Sequence, residues 1–235
     1  MPTALITGAS RGIGKEAAKL FSASGWDLLL VSRDELALRA LSEELTNSGN
    51  KVFYQAIDFS KPDEIYSGMD LLLQQGLCPS VLINNAGVAW TGDLLKMSLE
   101  SWQWLFQMNL TSVFQVCAVV IPYMRERGGL VINVSSHASR NAFPQWGAYC
   151  TSKAALDSFT RCLAVEESQN SIRACTLTLG AVNTTLWDTD TVQSDFDRNA
   201  MLPVEKAAEA LYYLAQQPSS QIVEDITLMP STGAF

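Results

Sequence analysis

The sequence contains a single histidine, His137. One histidine leaves no partner set for most zinc sites and argues against a Ser-His-Asp hydrolase triad. The five cysteines, Cys78, Cys117, Cys150, Cys162 and Cys175, are scattered, with no C-x-x-C spacing. An odd, unpaired set predicts reduced thiols in the cytosol rather than a disulfide framework. No apolar run reaches the roughly 20 residues of a membrane span. Met1-Pro2-Thr3 leads straight into a strand-like run, without the charged start of a signal peptide. Basic residues are also short, 16 against 24 acidic, for a net charge of -8. Nucleic acid and anionic membranes are therefore excluded as expected partners, and an anionic cofactor needs local positive features.

What is present describes a packed globule: 48% hydrophobic and 17% charged residues over a chain of 235. Short apolar runs at Ala4–Thr7, Trp26–Val31, Lys51–Ile57, Val81–Asn84, Leu130–Val134, Arg173–Thr178 and Ile222–Met229 read as strands. Between them lie helical patterns, among them 34–46, 62–75, 149–167, 204–216 and a long, interrupted one over 99–124. Strands that are continuously apolar and alternate with helices predict a parallel sheet covered on both faces. The expected fold class is α/β: one domain over 1–235 with a Rossmann-type, doubly wound parallel sheet of about seven strands. Residues 183–202, rich in Thr, Asp and Asn, read as a substrate lid, because so long an irregular loop in a compact domain is usually functional.

Gly8-Ala9-Ser10-Arg11-Gly12-Ile13-Gly14 lies between the first strand and the first helix. Glycines there let the backbone approach a phosphate, and the helix N-terminus offers free N–H groups. The spacing is neither G-x-G-x-x-G nor a P-loop, since Glu16 follows Lys15. The second strand ends in Ser32-Arg33 where an acidic residue would select a ribose hydroxyl. Serine does not repel a phosphate and a guanidinium can bind one with two hydrogen bonds, which points to NADP(H), with Arg11 a second cation. Asp58 follows the third strand, where a turn-capping aspartate and a ligand contact are both open. Gly87 permits a tight path after the fourth strand. Ser135 and Ser136 end the fifth strand and point to opposite faces. Tyr149 and Lys153 share a helix face, and a cation beside a phenol is expected to lower its pKa.

Thr7-Gly8-x-x-x-Gly12-x-Gly14, Asn84-Asn85-Ala86-Gly87, Asn109, Ser136, Tyr149 and Lys153 together resemble the short-chain dehydrogenase/reductase pattern. That resemblance implies an oxidoreductase using NADP(H) on a carbonyl or secondary alcohol of a small, apolar substrate. It implies Tyr149 as general acid, Ser136 as hydrogen-bond donor to the carbonyl, and Lys153 as tuner of Tyr149 and holder of the nicotinamide ribose. Asn109 is implied to hold a relay water, Asp58 to contact adenine, Asn85 to stabilise the sheet, and Ala86, Gly87, Gly180, Val182 and Thr184 to contact the cofactor. Ser136 precedes Tyr149 by the family's 13 positions, and with Tyr149 in the acid role His137 is set aside. Helices around Asn109 and Tyr149 are implied to pack in a homodimer or homotetramer. Leu179 replaces the family's proline, and the ending Met229-Pro230-Ser231 lacks the Asp-Gly-Gly of 3-oxoacyl reductases. A 3-oxoacyl thioester reductase and a catalytically silent NADP(H)-binding sensor stand as alternatives. Trp90, Phe143, Trp146 and Trp187 are candidates for an apolar substrate pocket. Cys150 has no assigned role.

Overall fold

Every residue of β1 (Thr3–Thr7) is buried. A strand covered on both faces has no polar side to present, which is why its sequence does not alternate. The structure, a computed structural model, describes residues 1–46 and 49–233; residues 47, 48, 234 and 235 of the expected 1–235 domain lie outside the described residues. After β1 come α1 (Gly12–Ala23), β2 (Asp27–Ser32), α2 (Glu35–Thr46), β3 (Val52–Ala56), α3 (Pro62–Leu73) and β4 (Val81–Asn84). The second half runs α4 (Leu99–Phe106), α5 (Ser112–Met124), β5 (Gly129–Ser136), α6 (Gly147–Glu166), β6 (Ile172–Leu179), α7 (Val204–Ala215) and β7 (Asp225–Leu228).

The seven strands form one sheet in the order β3-β2-β1-β4-β5-β6-β7, and every pairing is parallel. The two faces carry separate cores. Leu28 and Leu30 of β2 join Phe21, Leu38 and Leu211 on one face. Leu29 and Val31 join Ile65, Met69, Val116 and Leu156 on the other. Each such side chain contributes about 1.5–3 kcal/mol on full burial, so one residue's slip in register would expose a strand's whole set. The chain winds outward from β1 to β3, then returns to β4 beside β1. The ends of β1 and β4 thus flank the crevice where ligands of such sheets bind.

The interruption expected within 99–124 is not a break. A single π turn, Gln107–Thr111, joins α4 to α5 without stopping the helix. The joined 26-residue helix holds an 18-residue window of mean hydropathy 1.5, enough by length and composition to cross a membrane, although Gln107, Asn109 and Gln115 keep the helix from being an unbroken apolar run. Half of its apolar window is buried inside the protein, where Val113, Val116, Val120 and Met124 form part of the second core. The last strand is shorter than expected. β7 pairs only with Thr176–Leu179, and Ile222 ahead of it is exposed. The 183–202 segment holds two short 3-10 turns, Thr185–Asp188 and Arg198–Ala200, and Val182 bridges Leu202 across its base.

Candidate active site

The glycine turn closes on itself. A Cβ added at Gly14 would lie 2.3 Å from the Gly8 carbonyl oxygen and 2.6 Å from Asn85 Nδ2, so no other residue fits. Asn85 is the clamp: its Nδ2 donates to the Thr7 carbonyl at 3.0 Å, while its backbone N–H donates to Thr7 Oγ1 at 3.0 Å. Thr7 Oγ1 also accepts from Ala86 N at 3.1 Å and donates to the Ile83 carbonyl at 3.3 Å. These bonds tie the ends of β1 and β4 together at the switch point. Arg11 caps α1 in an extended conformation without a side-chain cap, which leaves the first-turn N–H groups facing the turn.

A cavity of about 590 Å³ runs along this edge, from Ser32, Arg33 and Asp58 past the glycine turn to Tyr149, Lys153 and Met229. Of the sequence-derived contact residues, Gly8, Ser10, Arg11, Gly12, Ile13, Asn85, Ala86, Gly87, Gly180, Val182 and Thr184 line it as well. Gly14 does not; it serves the close approach instead. Asp58 shapes the turn, accepting from Ser60 N at 3.0 Å and Ser60 Oγ at 2.7 Å, and it lines the cavity. Burial pushes its carboxyl up, but the two Ser60 hydrogen bonds and the charges of Arg33 and Lys61 outweigh it and leave the pKa lowered.

At the other end α6 begins at Gly147, two residues before the expected start, so Tyr149 sits in its first turn with Lys153 one turn on. Ser136 caps the turn after β5 by accepting from Ala138 N at 3.2 Å, and it is hydrogen-bonded to the Tyr149 phenol. The expected lowering of the Tyr149 pKa is corrected by the geometry. Lys153 Nζ donates to the Val134 carbonyl at 3.0 Å and lies over the face of the Tyr149 ring, 5.9 Å from its centroid, with no hydrogen bond to the phenol oxygen. Burial therefore prevails and pushes Tyr149 up to about 12, with the Ser136 hydrogen bond acting in the opposite sense. Burial also lowers Lys153 to about 8, against an opposing pull from Asp157.

Asn109 sits in the π turn and does not line the cavity. Its Oδ1 accepts from Val88 N at 2.9 Å, and its Nδ2 donates to the Val88 carbonyl at 2.9 Å and to Ser152 Oγ at 3.0 Å. It nevertheless stands beside the lysine: a Cβ at Gly87 would be 3.2 Å from Asn109 Oδ1 and 3.6 Å from Lys153 Nζ. His137 lines the cavity as well; its Nε2 lies 2.9 Å from Asn141 Nδ2, and its Nδ1 is buried without a hydrogen-bond partner. Leu179, standing where the resembled family has proline, completes β6 by pairing with Ser136 and Leu228, and Gly180 N donates to the Leu228 carbonyl at 2.9 Å.

Phe143, Trp146 and Trp187 line the cavity; Trp90 does not, and its ring packs over Gly92 instead. Trp146 packs edge-on against Tyr149 at 5.5 Å and against Trp187 at 5.7 Å, and Trp187 against Phe196 at 5.5 Å. Phe196 was not foreseen; an aromatic inside the polar 183–202 stretch was the available signal. That stretch is fastened by Arg198, which binds Asn183 Oδ1 at 2.9 Å, Asp188 Oδ1 at 2.7 Å and the Thr184 carbonyl at 2.8 Å. A buried amide chain was also missed. Asn84 Nδ2 donates to Asn133 Oδ1 at 2.8 Å, and Asn133 Nδ2 to Thr160 Oγ1 at 2.8 Å. Asparagines inside two apolar strands were the sign of it.

The family model described as short chain dehydrogenase matches residues 2–195. The chain is 29% identical over 231 residues to the 3-oxoacyl-(acyl-carrier-protein) reductase FabG of Chlamydia muridarum, covering 95% of this chain and 93% of that protein. It is 29% identical over 242 residues to the L-xylulose reductase of Bos taurus, covering 99% and 95%. Among solved structures, an alcohol dehydrogenase from Thermococcus sibiricus complexed with 5-hydroxy-NADP superposes with a TM-score of 0.90. It is 28% identical, covering 98% of this chain and 97% of that one.

Proposed function

The chain belongs to the short-chain dehydrogenase/reductase family, and from that premise we propose that it is an NADPH-dependent carbonyl reductase acting on a small, apolar ketone or aldehyde. The single observation that carries this reading is one cavity joining a cationic rim at Arg11 and Arg33 to Ser136 and the buried Tyr149 and Lys153. The alcohol dehydrogenase of Thermococcus sibiricus, solved with an NADP derivative, supports the choice of cofactor.

The residues fit such a dinucleotide. The cradle at Gly8 and Gly14 has no room for a side chain, so backbone N–H groups can reach a diphosphate. Arg33 and Arg11 would hold the 2′-phosphate, Asp58 the adenine, and Lys153 the nicotinamide ribose. Ala86, Gly87, Gly180, Val182 and Thr184 would line its path. When bound, the dinucleotide supplies the hydride equivalent that the carbonyl carbon receives.

The chain's own groups deal with the oxygen. As negative charge grows on it, Ser136 Oγ donates a hydrogen bond and Tyr149 transfers its phenolic proton, leaving an alcohol and a phenolate. A phenol held protonated by burial is suited to this donor role. A water held near Asn109 then returns a proton to the phenolate along Lys153. Trp146, Trp187 and Phe196 exclude bulk water and pack the substituent of the carbonyl, with residues 183–202 as its lid.

A second reading, reduction of 3-oxoacyl thioesters, is favoured by the 29% identity to FabG over nearly the whole chain. The aromatic wall favours the compact ketone. The active form is proposed to be a homodimer or homotetramer built on α5 and α6, where Phe114, Tyr123 and Val165 are exposed, and the protein to be cytoplasmic, in keeping with its five free cysteines. Purified protein with NADPH and a panel of neutral ketones, diketones and acyl thioesters tests the assignment. Turnover of ketones above thioesters supports it, and NADPH binding without turnover of any of them contradicts it.

A further inference from the structure

Asp157 is 5% exposed, one turn beyond Lys153 on the same face of α6. A carboxylate in such a place carries a penalty of several kcal/mol unless it is paired. Its pairing is incomplete. Oδ1 is buried without a hydrogen-bond partner, and Oδ2 lies 3.9 Å from Arg140 Nε, too far for a hydrogen bond. Arg140 is committed elsewhere: it pairs with Asp225, which also accepts from Thr178 Oγ1 at 2.9 Å. Ser135 Oγ, beside Thr178 in the β5–β6 register, is a second buried group without a partner. A leucine here would pack against the sheet without any of this desolvation. Four charges, Lys153, Asp157, Arg140 and Asp225, thus run in alternating sign from beneath the Tyr149 ring to the protein surface.

We infer that Asp157 is a positioning residue for proton transfer, its carboxylate anchoring the Lys153 ammonium through a buried charge chain that ends at Arg140 and Asp225. The inference rests on the Tyr149–Lys153 chemistry proposed above. Asp157 touches neither substrate nor cofactor; it acts through the lysine. The direction of its effect agrees, since the Asp157 charge opposes the loss of the Lys153 proton that burial favours. Among the described residues no other anion does this. On α6 the nearer ionisable groups are Tyr149 and Cys150; the turn after β5 brings His137 and Arg140, and β7 brings Asp225. β5 and β6 present the hydroxyls of Ser135 and Thr178, while Arg173 of β6 is occupied with the 217–221 carbonyls. The π turn presents Asn109, and Glu100 of α4 is exposed.

The test follows kcat for NADPH-dependent ketone reduction from pH 5.5 to 9.5 in wild type, Asp157→Asn and Asp157→Glu. In Asp157→Asn the alkaline limb is expected to move down by about one pH unit, the usual effect of removing one close opposite charge. Activity then falls about tenfold at pH 8.5 and less than twofold at pH 6, and Asp157→Glu restores it. Arg140→Gln, which removes the competing cation, is expected to move the limb the other way and serves if Asp157→Asn does not fold. Lysine-selective NMR of the same proteins reads the Lys153 titration without turnover, so a wrong substrate assignment and a wrong role for Asp157 give different results. An equal loss at all pH values, or a Lys153 titration that Asp157→Asn and Arg140→Gln both leave unmoved, overturns the inference.

Discussion

Lys153 Nζ hydrogen-bonds the Val134 carbonyl, 3.0 Å away, rather than reaching the Tyr149 oxygen. The buried ammonium is thereby held in place by the strand that also carries Ser136. Its stability consequence is opposite in sign to that of most ion pairs. The folded pKa, about 8, lies below the ordinary lysine value of 10.5, so between these values the unfolded chain binds more protons. Stability then rises with pH across that window, and the burial cost is fully present below it. Lys153→Met is expected to be more stable at pH 7 by about 2 kcal/mol, roughly 3 gained from the shift and about 1 lost with the hydrogen bond. Urea denaturation at pH 7 and pH 10 checks this. The difference between variant and wild type should shrink at the higher pH.

Arg33→Ala is expected to raise the KM for NADPH by about tenfold to a hundredfold, the worth of one charge-assisted contact. NADH should be used no worse than by wild type. Steady-state kinetics with both cofactors decides, and an unchanged NADPH KM would remove Arg33 from the site.

Gly14→Ala sets a methyl 2.3 Å from the Gly8 carbonyl, a backbone atom that cannot swing aside. The turn must open, at a cost of about 1–3 kcal/mol. NADPH affinity, read by fluorescence quenching, should fall at least about tenfold; Tm should fall with it.

Asn133→Leu takes away the only oxygen acceptor of the Asn84 amide, leaving it Cys117 Sγ at 3.5 Å, and the donor to Thr160 Oγ1, which keeps its bond to the Leu156 carbonyl; the cost is about 1–3 kcal/mol. A double-mutant cycle with Asn84→Ala should show coupling of at least about 0.5 kcal/mol. Additive losses would mean that the amide chain does not act as a unit.

Much of this was legible before any coordinates. Continuously apolar runs such as Leu28–Val31 require cover on both faces, so the parallel sheet followed from them. The i,i+4 spacing of Tyr149 and Lys153 placed them on one face. What spacing could not convey was direction. Where Lys153 points depends on the Val134 carbonyl, which is brought near only by tertiary folding, and this reversed the expected shift of Tyr149. Asn109 read as a polar residue in a helix; the π turn that sets it beside Lys153 has no mark in the hydrophobic pattern. Nothing in the spacing marked Asp157, whose burial follows only from the packing of α6 against β5 and β6.

The measurement that bears most directly on the account is NADPH oxidation by wild type and Tyr149→Phe with a neutral aryl ketone, beside NADPH binding by each. The phenylalanine ring keeps the packing against Trp146 and loses only the proton. The account predicts unchanged NADPH affinity and a kcat lower by about 10²–10⁴-fold, the range for a lost general acid. Full activity in Tyr149→Phe would contradict it.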